Sequence, residues 1–181
     1  MAARADLGYQ PRMNALSSQE AAAIGTIDQS AMLTQVERWA AINSGTRNLD
    51  GVARMADELA DAFATLPGKI AMVDADPVES VGSDGGVSVL MHGRHLHLTV
   101  RPDAPVQMLL TGHMDTVYPV DHAFQTLTHR DDGTINGPGT ADMKGGLATM
   151  LAALRAVETT PLAARLGYEV VINSDEETGS F

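Results

Sequence analysis

A strand–helix–strand pattern in the second half of the chain strongly limits the possible folds. VQMLLTG at residues 106–112 is a short apolar run without alternation, which predicts a strand buried on both faces of a sheet. From Lys144, apolar residues recur at helical spacing up to Val157, and YEVVIN at residues 168–173 predicts a second buried strand. Two strands joined by a crossover helix pair in parallel, as neighbours or near neighbours. We therefore expect an α/β sheet.

The elements before this unit are predicted to be helical and then extended. Residues 1–29 are rich in alanine and weakly patterned, and we interpret them as a poorly defined leader or a short helix. Ser30 is the predicted N-cap of an amphipathic helix, and a second such helix begins near Val52 and ends before Pro67. The alternation of HLHLTV at residues 95–100 predicts a half-buried strand.

Charge and composition argue against several classes of partner. The chain has 12 Lys and Arg against 23 Asp and Glu, and a net charge of −11 opposes binding to nucleic acid or to anionic membranes. It has no cysteine, so any metal must be held by His, Asp or Glu. No stretch approaches the ~20 apolar residues of a membrane span, and no signal-peptide core is present near the start. These features predict a cytoplasmic protein with no nucleic-acid or membrane partner.

Polar side chains follow both predicted strands of the parallel pair. His113 and Asp115 come after the first strand, Glu176 and Glu177 come after the second, and Asp142 lies in the loop that opens the helix. Ligands of open α/β sheets bind beyond the carboxyl ends of the strands, so these side chains are expected to converge. Imidazole and carboxylate without thiolate suit zinc, or cobalt or manganese less selectively. A cation would also relieve the repulsion between adjacent carboxylates.

The spacing of these residues suggests which of them are metal ligands, which is a base and which orients a ligand. One acid of the Glu176 and Glu177 pair can coordinate a metal while the other stays free as a base. Asp115 can accept a hydrogen bond from the nitrogen of His113 that faces away from the metal, which fixes the tautomer of the ring. The ordinary interpretations are a surface turn for His113 with Asp115 and a solvated acidic loop for the two glutamates. The joint occurrence of all these residues favours the functional interpretation.

Three motifs carry a family resemblance. GHMDTVYP, GPGTADMKGG and NSDEETGS, in this order, closely resemble the N-terminal motifs of the co-catalytic dizinc metallopeptidases that include glutamate carboxypeptidase, acetylornithine deacetylase and succinyl-diaminopimelate desuccinylase. The match is nearest to glutamate carboxypeptidase. It implies a zinc-exopeptidase-like α/β fold, a three-layer sandwich with a mixed, mostly parallel central sheet. Residues 30–181 would be the N-terminal part of that catalytic domain, in truncated form.

The resemblance also implies roles for single residues. His113 would ligate one zinc ion, Asp142 would bridge two Zn²⁺ ions, and Glu177 would ligate the other, with Co²⁺ or Mn²⁺ as alternatives. Glu176 would be the general base that activates the attacking water, and Asp115 would orient His113. The peptide bond after Asp142 would be cis. The implied reaction is cleavage of an amide bond in a small peptide or N-acyl amino acid.

The family pattern also includes parts that this sequence does not contain. Two further ligands, an acid shortly after the third motif and a distant histidine, have no counterpart here. Neither does the lid domain, which in the family supplies dimer contacts and recognises the substrate carboxylate. We therefore predict that the full-length parent is a hydrolase, for which a homodimer is implied. The isolated 181-residue chain is predicted to be inactive.

Other interpretations of the sequence stay open. The chain could be a non-catalytic homologue that binds metal or peptide, or a truncated product with no function of its own, although the presence of Glu176 favours an enzyme. The glycines of GPGTADMKGG do not form a G-x-x-x-x-G-K-[ST] phosphate loop. His92, His95 and His97 could form a metal cluster, but the last two share the polar face of a predicted strand and are expected to be exposed.

Overall fold

The structure is a computed structural model that describes residues 16–180. Four α-helices and eight strands lie in this part of the chain: α1 Ser18–Ile24, α2 Gln29–Ala40, α3 Leu49–Phe63, β1 Lys69–Val73, β2 Val78–Val81, β3 Val87–Leu90, β4 His95–Val100, β5 Val106–His113, β6 Thr128–His129, β7 Ile135–Asn136, α4 Gly145–Glu158 and β8 Leu166–Asn173. Shorter helical turns occupy Pro161–Arg165 and Glu176–Thr178, and the segment Thr140–Lys144 is kinked, with non-helical backbone angles at Asp142 and Met143. The predicted α/β class is confirmed.

The central sheet has four strands in the order β1–β4–β8–β5. β5 and β8 pair in parallel, with Val106 opposite Leu166 and His113 opposite Asn173, so the predicted strand–helix–strand unit is confirmed. β4 pairs with β1 and with β8 in antiparallel fashion. The sheet is mixed, as predicted, but parallel pairing does not predominate among the described strands. The connection from β1 to β4 passes through the β2–β3 hairpin without a crossover helix, and such a connection suits antiparallel pairing.

The hydrophobic core lies on one face of this sheet. Leu98 of β4 is paired with Val170 of β8, and both side chains are buried on that face. Helices α2, α3 and α4 cover it with a single apolar cluster: Trp39, Val52, Met55, Ala56, Leu59, Phe63, Leu147, Ala148, Leu151 and Leu154. The described residues therefore form two layers, and the third layer of the predicted sandwich is not among them.

β5 is exposed, so the prediction that it is buried on both faces is wrong for the described part of the chain. The exposed fractions are 49% for Val106, 41% for Met108 and 65% for Leu109. β5 lies at the edge of the four-stranded sheet, and β8 is its hydrogen-bonded neighbour. Leu109 is paired with the exposed Glu169 on the face away from the helices. The apolar run thus predicted the strand, but the described elements cover only its carboxyl-terminal part, where Leu110 packs against the core and Gly112 lies against Leu147.

Side-chain caps set the helix starts. α2 begins after Asp28, whose Oδ1 accepts a hydrogen bond from the Ala31 amide at 3.0 Å, and the predicted cap Ser30 lies inside the helix. Asp28, two residues before Ser30, is the N-cap instead, because its carboxylate accepts the hydrogen bond from the otherwise free amide of Ala31. Within the predicted leader, α1 has a capping box formed by Ser17 and Glu20, and residues 1–15 lie outside the described part. None of the described helices is long and apolar enough to cross a membrane.

Candidate metal centre

Three segments bring potential metal ligands together at the carboxyl edge of β5 and β8. His113 ends β5, Asp142 lies in the kinked segment before α4, and Glu177 lies in the turn after β8. One ligand atom from each side chain lies within 4.8 Å of the other two. Within residues 16–180, no other group of three His, Asp or Glu side chains meets this distance. The structure thus places the three sequence-predicted ligands at one point.

The backbone around Gly112 explains this convergence. A Cβ atom at Gly112 would lie 2.8 Å from Cδ2 of Leu147 and 3.0 Å from Cε of Met143, so glycine allows β5 to pass close beneath the start of α4. The amide of His113 also contacts Sδ of Met143 at 3.3 Å. The peptide bond between Asp142 and Met143 is cis, as the family resemblance implied. The end of β5 therefore lies directly beside the loop that carries Asp142.

His113 contacts acids through both ring nitrogens. Its Nε2 lies 2.9 Å from Oδ1 of Asp142, and its Nδ1 lies 3.2 Å from the carbonyl oxygen and 3.3 Å from Oδ1 of Asp115. Burial lowers the pKa of His113, but the hydrogen bonds with Asp115 and Asp142 and the charges of Asp115 and Glu176 outweigh it and raise the pKa to about 9. Without a metal, the ring is therefore protonated at neutral pH.

Asp115 is the buried centre of the hydrogen-bond network, with 1% of the residue exposed. Its Oδ2 accepts from Oγ1 of Thr46 at 2.6 Å, and its two carboxylate oxygens accept from the amides of Glu176 and Glu177 at 3.2 Å each. Burial raises the pKa of this carboxyl, but the hydrogen bonds from His113, Thr46 and the Glu177 amide outweigh it and lower the pKa. One carboxylate thus fixes both the imidazole and the turn of the glutamates.

The two glutamates present their side chains differently. The Glu176 side chain is 52% exposed, and its Oε2 lies 3.9 Å from Nε2 of His113. Glu177 is half-buried, and this burial raises its pKa; the charge of His113 opposes the shift, and the charges of Asp142, Asp115 and Glu176 add to it. A crowded set of carboxylates beside an imidazole is a donor set that fits a divalent cation.

Two hollows flank the predicted ligands. One, of about 250 Å³, is lined by Asp142, Glu177 and Tyr118. The ring of Tyr118 makes an edge contact with that of Phe124 at a centroid distance of 5.0 Å. The other, of about 370 Å³, lies between Arg47 and Val120 and also reaches Glu177. Glu177 therefore borders both hollows.

Sequence reasoning missed two residues that support the site. Thr46 lies between α2 and α3 and has no role assigned from the sequence, although its hydroxyl donates to Oδ2 of Asp115. His92 was considered only as part of a metal cluster with His95 and His97. The structure instead places Nδ1 of His92 3.0 Å from Oδ2 of Asp175. His95 and His97 are half-buried on the sheet face away from the helices, rather than exposed as expected.

Comparisons with known proteins agree with this geometry. Residues 109–181 match the model of peptidase family M20/M25/M40. Carboxypeptidase G2 of Pseudomonas sp. (strain RS-16) is 27% identical over 156 residues, which cover 86% of this chain and 35% of that protein. Acetylornithine deacetylase of Salmonella arizonae is 46% identical over 76 residues, which cover 39% of this chain and 19% of that protein.

A solved structure extends the likeness to most of the fold. Human carnosine dipeptidase 1 superimposes with a TM-score of 0.71 and 25% sequence identity, over 91% of this chain and 36% of the dipeptidase. The chain thus spans about a third of the length of carboxypeptidase G2 and of this dipeptidase.

Proposed function

We propose that this chain, whose residues 109–181 belong to peptidase family M20/M25/M40, is part of the catalytic domain of a metal-dependent amide hydrolase. The membership confirms the resemblance that the three motifs indicated. The proposed substrate is a small peptide or an N-acyl amino acid, and the proposed activity is glutamate carboxypeptidase-like. The observation that carries the proposal is the convergence of His113, Asp142 and Glu177 within 4.8 Å beside the exposed carboxylate of Glu176.

The proposed metal is zinc, with cobalt and manganese as alternatives. His113 and Glu177 would each hold one of two Zn²⁺ ions, and Asp142 would contact both. One imidazole and two carboxylates, with no thiolate in the sequence, form a donor set that these ions accept. The Asp142 side chain is 76% exposed, so it remains accessible for coordination although His113 contacts its Oδ1.

The chemistry follows from the positions of the acids. When bound, divalent ions polarise a scissile carbonyl and lower the pKa of the attacking water. Glu176 takes a proton from this water as the water oxygen bonds to the carbonyl carbon, and it passes the proton to the leaving nitrogen as the C–N bond breaks. The products are a carboxylate and an amine. Asp115 holds the amide of Glu176 and the ring of His113, so the base and the ligand keep their relative position.

The activity is proposed for the full-length parent. The isolated chain supplies three of the ligands that the family pattern requires, so we expect it to bind metal weakly and to hydrolyse nothing at a useful rate. A homodimer also remains a proposal for the parent. The cytoplasmic location inferred from the sequence stays a prediction.

Metal binding by the 181-residue chain is the first test. We expect Zn²⁺ to bind in a titration against a chromophoric chelator, and Asp142→Asn to lower the affinity at least roughly tenfold. Asp61→Asn is the matched control, because Asp61 is exposed on α3. Equal affinity of the Asp142→Asn variant and the wild type would contradict the proposed ligand set.

Turnover by the full-length parent is the second test. With N-acyl amino acids and peptides ending in glutamate as substrates, Glu176→Gln is expected to lower kcat roughly 10²- to 10⁴-fold, because the base is removed. The bound zinc should stay unchanged. Glu169→Gln, at an exposed position of β8, should keep wild-type turnover. Full activity of Glu176→Gln would exclude its role as base. A parent that shows no turnover at all would instead favour the alternative of a non-catalytic metal-binding homologue.

A further inference from the structure

The hollow of about 370 Å³ beside Glu177 has a basic residue in its wall. Arg47, in the loop between α2 and α3, lines one side, and Val117 and Val120, in the segment after β5, also line it. No other Lys, Arg or His lines either of the two hollows that reach Glu177. This space, the Arg47 hollow, therefore places a single cation next to a proposed metal ligand, and the proposed mechanism makes no use of that cation.

Main-chain hydrogen bonds join the two loops that form the Arg47 hollow. The amide of Thr46 donates to the carbonyl of Thr116 at 3.2 Å, and the amide of Thr116 donates to the carbonyl of Ser44 at 2.9 Å. Glycine at position 45 permits this close approach, since a Cβ atom at Gly45 would lie 2.3 Å from the carbonyl oxygen of Tyr118. The backbone on both sides of the hollow is therefore ordered before a ligand arrives, which lowers the entropic cost of binding.

The guanidinium of Arg47 has no carboxylate partner in the described part of the chain. Arg38, Arg94 and Arg101 each form an ion pair with an acid, whereas none of the ion pairs there includes Arg47. Nη1 of Arg47 lies 3.4 Å from Nε2 of His92, and the residue is exposed. A guanidinium carries five N–H donors in a planar fork, and this fork matches the two oxygens of a carboxylate. Arg47 can therefore bind a carboxylate that a ligand brings.

The rest of the wall suits methylene groups. Val117 is 59% exposed and Val120 is 68% exposed, and Pro119 lines the hollow with them. Apolar side chains around one cation match a short aliphatic chain that ends in an anion. Glu177 adds a negative charge at the border of the hollow. The proposed metal ion offsets this charge, and in the metal-free chain the charge of His113 opposes it.

We propose that the Arg47 hollow binds a carboxylate at the end of a short aliphatic chain of the substrate, and that Arg47 determines specificity for this group. The inference rests on the proposed function. It narrows the substrate class to N-acyl amino acids or peptides that carry a second carboxylate besides the α-carboxylate. An acidic side chain and a dicarboxylic acyl group are the two sources, and both present the same chemistry to a guanidinium.

Turnover of matched substrates by the full-length parent is the first test. N-acetylglutamate is compared with N-acetylglutamine, and N-succinylalanine with N-succinamoylalanine, so that an amide replaces one carboxylate in each pair. Arg47→Met should lower the ratio of kcat/KM between acid and amide at least roughly tenfold in the pair whose carboxylate enters the hollow, because a charge-assisted hydrogen bond is lost. Arg47→Lys should keep part of this preference, since the charge remains but the planar fork does not.

Arg54→Met is the matched control, because Arg54 is exposed on α3 and does not line the Arg47 hollow. It should keep the wild-type ratio in both pairs. The pair that responds to Arg47→Met identifies the source of the carboxylate. A ratio that Arg47→Met leaves unchanged in both pairs overturns the proposal, and an equal loss of turnover on acid and amide is such a result.

Binding of glutarate to the metal-free 181-residue chain is the second test, and it requires no turnover. In an NMR titration, glutarate should shift the amide signals of Arg47 and Val117 saturably, and the neutral glutaramide should bind at least roughly tenfold more weakly. Arg47→Met should abolish this difference, and Arg54→Met should retain it. Equal binding of both compounds, or glutarate binding that Arg47→Met leaves unchanged, contradicts the inference. If the parent hydrolyses none of the four substrates, the proposed function fails, while this titration still decides whether the Arg47 hollow binds a carboxylate.

Discussion

His113 is surrounded by acids, and this couples its protonation to metal binding. Burial lowers the pKa of the imidazole, but Asp115, Asp142 and Glu176 together raise it to about 9. A raised pKa stabilises the metal-free fold most below pH 6.5, the ordinary value for histidine, and this stabilisation is lost as pH rises through about 9. A metal needs the neutral ring, so a proton and a cation compete for the same nitrogen.

The competition predicts a pH-dependent affinity for zinc. Between pH 6.5 and about 9, the affinity of the chain for Zn²⁺ should rise about tenfold per pH unit, because one proton must leave His113. Titrations in buffers of different ionisation enthalpy should report release of about one proton per ion near pH 7. An affinity that does not change over this range would contradict the proposed ligand role of His113.

The residues of the centre differ in how far the sequence could predict them. His113 and Asp115 are two positions apart at the end of a strand, so their contact follows from local geometry. Thr46 reaches Asp115 across 69 residues, and a hydroxyl in a turn-rich segment gives no sign of its distant partner. His92 was obscured by two nearby histidines that suggested a metal cluster instead.

The two faces of the central sheet differ in how deeply their side chains are buried. Leu98 of β4 is 1% exposed and packs in the helical core, whereas Leu109 of β5 is 65% exposed on the other face. Pattern reasoning predicted both strands, because apolar runs and alternation are local features. It could not predict that the first residues of β5 would lie exposed, since burial depends on elements that pack against the strand from elsewhere.

This difference predicts that replacing a leucine with alanine destabilises the fold much more on the helix-covered face than on the open face. Leu98→Ala should lower the free energy of unfolding by about 2–5 kcal/mol, because it leaves a cavity in a packed core. Leu109→Ala is the matched control on the open face and should change it by less than about 0.5 kcal/mol. Chemical denaturation of the 181-residue chain measures both. A large loss for Leu109→Ala would mean that this face is covered in solution.

The whole molecule combines a bare apolar strand with a strongly negative charge. Val106, Met108 and Leu109 lie on an edge strand whose outer main-chain groups have no neighbouring strand among the described residues. Such an edge favours association of chains. The net charge of −11 opposes it through long-range repulsion. Self-association should therefore depend on salt.

We expect the 181-residue chain to bind a hydrophobic dye and to form larger species as salt is raised, because salt screens the repulsion but not the apolar contact. Light scattering after size-exclusion chromatography measures the mass. Leu109→Lys should reduce association, and Leu33→Lys, at a residue 43% exposed on α2, is the control that should not. A monomer at all salt concentrations would contradict the inference.

The hydrogen-bond network around Asp115 affects how the centre gains and loses an ion. Its bonds to Thr46, His113 and the two glutamate amides are made within the chain, so the ordering of these segments is completed during folding. Capture of an ion then requires little further loss of backbone entropy. Occupancy can follow the supply of metal in both directions, and a molecule that loses its ion keeps the architecture needed to take up the next one.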